Sequence, residues 1–113
     1  MNQAADEIEV VQKEMQEATD NSKPKLADDG SRIGIDPQAM SFYILGSITN
    51  ISGGKITQAV AGFSIYRGGV EIDYRENQTF GLDPGEVWKF RINDVGNVME
   101  GKIQIKLKRL DAE

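Results

Sequence analysis

The chain contains no cysteine and no histidine. Together these absences remove thiol nucleophiles, imidazole bases and the usual zinc and copper ligands. Only oxygen donors are left for a hard cation, and no disulfide can report on compartment. No cofactor is expected. No run approaches the ~20 apolar residues of a membrane span, so none is expected. Met1 to Glu7 lack the basic n-region and apolar h-region of a signal peptide, although a leader or lipid anchor cut away ahead of Asn2 is compatible with them. Tryptophan occurs once, which makes Trp88 the natural anchor of any core.

The 113 residues make room for one domain and a tail. Charge divides the chain at about residue 40. Residues 1–40 carry nine acids against four bases, whereas 41–113 carry nine of each, so the net charge of -5 belongs to the N-terminal segment. An acidic tail on a neutral domain argues against nucleic acid as a partner, because phosphate binding needs a basic surplus.

Residues 4–19 read as a helix, with Ile8, Val11, Met15 and Ala18 in a narrow stripe about two heptads long. Residues 20–40 read as linker: Asp20 to Pro24 ends the helix and Asp28-Asp29-Gly30-Ser31 is turn chemistry. Ile33-Gly34-Ile35 could add a short edge strand. The division is therefore an acidic helix or linker over 1–40 and a β domain over 41–113.

From Ser41 the apolar period becomes two. Ile44 and Ile48 share one face with Gly46 between them. Ala59, Ala61, Phe63 and Ile65 share one face of a long strand over 56–66. Gly68-Gly69 is a hairpin turn. Val70, Ile72 and Tyr74 alternate with Glu71, Asp73 and Arg75, which predicts inward apolar side chains. Residues 78–82 form another strand, and Asp83-Pro84-Gly85-Glu86 fits a type II turn. Trp88, Phe90 and Ile92 face in, while Lys89 and Arg91 face out. After a loop over 93–97, Ile103, Ile105 and Leu107 face in while Lys102, Gln104, Lys106 and Lys108 face out. Six or seven short strands with regular turns predict an all-β, immunoglobulin-like antiparallel β-sandwich.

The motifs in this region resemble those of the FxLYD family of small immunoglobulin-like domains. They are the strand Ile44-Leu45-Gly46-Ser47-Ile48-Thr49-Asn50, the segment Phe63-Ser64-Ile65-Tyr66-Arg67 followed by Gly69, and Leu82-Asp83-Pro84-Gly85-Glu86 ahead of Phe90. The match covers about residues 41–110. Ile65 stands where the family has Leu, and Arg67 where it has Asp. The resemblance implies a non-catalytic module of a cell-envelope or secreted protein, with Gly46, Asn50 and Pro84-Gly85 serving the fold.

Four groups of side chains are candidates for function. Glu71 and Asp73, on one outward strand face about 7 Å apart, could form a glycosidase pair, against the plainer reading of a solvated face. Asn93, Asp94, Asn97 and Glu100 could offer oxygens to calcium, but they lack the acid spacing of calcium loops and match ordinary turn chemistry. Tyr43 and Tyr66 are the better exposed of the aromatics and could stack on sugar. Lys89, Arg91, Lys102, Lys106 and Lys108 would form one basic strip if the last two strands pair as a hairpin. Such a strip either blunts an edge or meets an anionic partner: an envelope polymer, a lipid head group or this chain's own acidic tail. Asn50-Ile51-Ser52 and Asn77-Gln78-Thr79 match the glycosylation acceptor pattern by chance.

The expectation is a non-enzymatic, monomeric interaction or spacer module, placed in the envelope or outside the cell by the resemblance. Its partner is a protein or an anionic envelope polymer. The alternatives are a carbohydrate-binding module and, more remotely, a small hydrolase using Glu71 and Asp73.

Overall fold

The alternation that begins at Phe42 folds into two antiparallel sheets packed face to face. The computed structural model describes residues 24–113, so the helix expected over 4–19 lies outside the described residues. The strands are β1 (Leu26–Asp28), β2 (Arg32–Asp36), β3 (Ser41–Asn50), β4 (Ile56–Arg67), β5 (Val70–Leu82), β6 (Val87–Asn97) and β7 (Gln104–Ala112). A 3₁₀ turn, Val98–Glu100, links the last two. In the first sheet β3 pairs with β1, β2 and β6; in the second, β4 lies between β5 and β7. β6 runs beside β3 from Ser41 to Thr49, so β1 and β2 share the opposite edge of β3, one after the other. The all-β sandwich of seven antiparallel strands is therefore what this sequence forms.

β-Pairing starts earlier than the composition indicates. Residues 26–28 and 32–36, read as linker, are ladder partners of β3, and Ile33-Gly34-Ile35 is the expected edge strand. Asp28 makes the break between β1 and β2, its Oδ1 accepting from the Gly30 and Ser31 amides. The Ser31 hydroxyl accepts from the Ser47 amide across the gap.

The core is apolar and continuous. Ile44, Ile48, Trp88 and Ile92 of the first sheet meet Ala59, Ala61, Phe63 and Ile65 of the second, all buried. Trp88 and Phe90 lie with ring centroids 4.6 Å apart, and Phe90 lies 6.1 Å from Phe63, so an aromatic chain crosses between the sheets. The turns are as read. Gly68 and Gly69 take φ of 59° and 81°, the left-handed pair a two-residue hairpin needs. Gly85 takes φ 78°, and the Glu86 amide donates to Asp83 O at 3.0 Å.

Three expectations are corrected. First, β5 is one 13-residue strand whose apolar side chains, apart from Leu82 at its buried end, are exposed. Register pairs Phe63 with Arg75 and Ile65 with Asp73; paired residues share a face, so the charged partners turn inward. They lie at the sheet margin, where Arg75 donates to Asn93 O and Asp94 O of β6 and closes the gap between sheets. Ile72, Tyr74 and Phe80 are left exposed. Second, residues 93–97 continue β6. Asp94, at φ 57°, breaks the alternation, so Ile92 and Val95 are both buried though three apart. Third, β6 and β7 form no hairpin, because the chain crosses between sheets at Val98–Glu100.

Candidate functional site

The missing hairpin divides the basic strip. Lys89 and Arg91 lie on the outer face of the first sheet. Lys106, opposite Ser64, lies on the outer face of the second. Lys108 is the extra residue where the β4–β7 register shifts, and exposed Lys102 precedes β7. Another cation joins Lys89 and Arg91. Arg32 on β2 stands opposite Leu45 on β3, and Leu45 stands opposite Arg91 on β6, which makes a row of cation, leucine, cation across three strands. The next outward row pairs Ser47 with Lys89. With strands about 4.8 Å apart, the three cationic side chains surround Leu45 and Ser47.

These residues line a shallow basin of about 540 Å³, whose wall is completed by Asp29, Gly30, Gly46 and Phe90. Arg91 is held in place. Its guanidinium sits 3.8 Å over the Tyr43 ring, its Nη2 is 3.5 Å from Asp36, and its Nε donates to Asn93 Oδ1 at 2.6 Å. Tyr43 in turn lies across Gly34, where a Cβ would fall 2.2 Å from the ring. The Arg32 and Lys89 side chains form no hydrogen bond or ion pair among the described residues. Among the described residues, the face therefore holds one braced and two unpaired cations around Leu45 and Ser47, with Asp29 on the wall.

The other candidates are engaged in holding the fold. The register shift at Ile65/Tyr66 puts Glu71 opposite Tyr66 and Asp73 opposite Ile65, on opposite faces, and Asp73 pairs with Arg75 at 2.7 Å. The proposed carboxylate pair is thereby split. Asn93 accepts from Arg91, Asp94 from the Ser41 hydroxyl, Asn97 from the Met99 amide, and Glu100 pairs with Arg67. No group of three or more acidic side chains is placed to hold a metal ion among the described residues. Tyr43 and Tyr66 are half-buried, and Lys106 Nζ lies 5.5 Å over the Tyr66 ring. Asn50 is buried; its Nδ2 donates to Gly54 O and Leu82 O, so its sequon is consumed by the fold.

The outer face of the second sheet carries a polar clamp. Tyr74, expected inward, lies outside over Gly62 and donates to Glu76 at 2.7 Å; Arg109 donates to Glu76 at 3.0 Å and to Asp111. Burial, then the hydrogen bond to Glu76, pushes the Tyr74 phenol up to about 12. The Tyr74 and Arg109 hydrogen bonds hold the Glu76 carboxyl below its ordinary value.

Comparison with protein-family models, with curated proteins and with solved structures gives no match. No helix among the described residues is long and apolar enough to cross a membrane.

Proposed function

We propose that this chain is a non-catalytic β-sandwich binding module that engages an anionic polymer of the cell envelope through the outer face of its first sheet. The observation behind the reading is the convergence of Arg32, Lys89 and Arg91 around Leu45 on a protein whose net charge is negative. Three exposed cations around Leu45, one of them braced by Tyr43, Asp36 and Asn93, suit a repeating phosphate or carboxylate ligand. The envelope setting comes from the FxLYD-like motifs. The sugar-binding alternative draws less support, since each of its two tyrosines already carries a cation over the ring.

The test is calorimetric titration of the full chain with polyglycerol phosphate at low salt. Arg32→Glu/Lys89→Glu weakens binding by about tenfold or more, while Lys106→Glu/Lys108→Glu leaves it within twofold. Equal effects of the two variants, or no binding by the wild type, overturn the reading.

A further inference from the structure

We infer that the acidic N-terminal segment of this chain, residues 1–23, occupies the Arg32–Lys89–Arg91 basin in the absence of another ligand. The inference rests on the reading of that basin as an anion site, and adds an internal competitor for it. Three observations support it. The first is charge: residues 1–23 carry Asp6, Glu7, Glu9, Glu14, Glu17 and Asp20 against Lys13 and Lys23, whereas the basin presents Arg32 and Lys89 without partners among the described residues. The second is position. The segment joins the fold at Pro24, next to β1, and β1 lies on the same edge of β3 as Arg32. Leu26 stands opposite Asn50 and Arg32 opposite Leu45, so Leu26, two residues after Pro24, is about five strand residues, or roughly 17 Å, from the basin. The third is reach: a 23-residue segment spans up to about 80 Å extended, and the tether gives its carboxylates a high effective concentration at the site.

The outer face of the second sheet is a poorer destination. Its Arg109 is already paired with Glu76 and Asp111, and Lys106 lies over Tyr66. Docking the tail would neutralise the basin until a polymer of higher charge density displaces it. A tail in place in nine chains of ten lowers the apparent affinity for polymer about tenfold.

The test uses the absence of native cysteine. A nitroxide is attached to full-length Gln12→Cys, and amide relaxation is read at 20 mM and 500 mM NaCl. Docking predicts broadening at Arg32, Leu45, Ser47, Lys89 and Arg91 that is lost at high salt, with no broadening at Lys106 or Arg109. A full chain with Asp6, Glu7, Glu9, Glu14, Glu17 and Asp20 changed to their amides should lose the broadening at low salt. It should also bind polyglycerol phosphate about tenfold more tightly. Broadening spread over both faces, or none at the basin, overturns the inference; if polymer still binds at Arg32 and Lys89, the proposed function survives. Broadening confined to the basin with no polymer binding supports the tail contact and removes the polymer.

Discussion

Phe90 of β6 packs the far end of its ring against Gly46 of β3, its register partner. A Cβ on Gly46 would fall 2.0 Å from the Phe90 ring. The ring fills the place of the missing side chain and continues to Trp88 on one side and Phe63 on the other. The same device recurs outside the core, where Tyr43 covers Gly34 and Tyr74 covers Gly62.

Gly46→Ala should destabilise the fold by about 1–3 kcal/mol, the usual range for overpacking. Its φ is not in the left-handed region, so the effect is steric rather than conformational. Urea denaturation of Gly46→Ala, Phe90→Ala and the double variant measures it. The double variant should lose clearly less than the two single losses combined, since removal of the ring makes room for the methyl.

Trp88→Ala removes the largest side chain from the joint between sheets, where it is 7 % exposed. The expected loss is about 3–5 kcal/mol. A denaturation midpoint equal to that of wild type would contradict the inward placement.

Asn50, 1 % exposed, links two turns. Its side chain donates to Gly54 O and Leu82 O and accepts from Ser52, while its backbone exchanges hydrogen bonds with the 83–86 turn. Asn50→Ala should cost about 1–3 kcal/mol through the carbonyls left unpaired. Asn50→Asp sets a carboxylate against those two carbonyls, so its loss should be greater at pH 7 than at pH 4, where the protonated acid can donate one bond.

Tyr74 and Glu76 make stability depend on pH in opposite directions. The Tyr74 phenol titrates higher when folded, at about 12 against an ordinary value of 10.0. Its contribution is therefore complete below the unfolded value and is lost as pH rises through the folded one. The Glu76 carboxyl titrates lower when folded, so its contribution is present above the unfolded value and is lost as pH falls through the folded one. Absorbance at 295 nm should show one of the three tyrosines ionising near 12. That step should vanish in Tyr74→Phe and move down in Glu76→Gln.

Most of the sandwich could be read from side-chain alternation. β3, β4 and the start of β7 each carry an unambiguous apolar face, and Gly68-Gly69 and Pro84-Gly85 each fit one turn type. β5 misled because Val70, Ile72 and Tyr74 alternate as an inward face does. What decides their direction is the register with β4, whose inward Phe63 and Ile65 claim Arg75 and Asp73. The basic strip failed on connectivity. Consecutive strands usually neighbour each other, but the Val98–Glu100 turn carries the chain to the other sheet. Arg32 is hard to recognise as part of this face because acidic turn residues surround it in the sequence. The available signal was Ile33-Gly34-Ile35, since a strand there places Arg32 on the face opposite Ile33.

Arg32, Lys89 and Arg91 are proposed to form one anion-binding surface. The most direct measurement is a ¹⁵N–¹H correlation titration of the full chain with polyglycerol phosphate at low salt. Within residues 24–113, shifts should be confined to Arg32, Leu45, Ser47, Lys89 and Arg91. Shifts centred on Lys106 and Lys108, or a spectrum unmoved at saturating polymer, would contradict it.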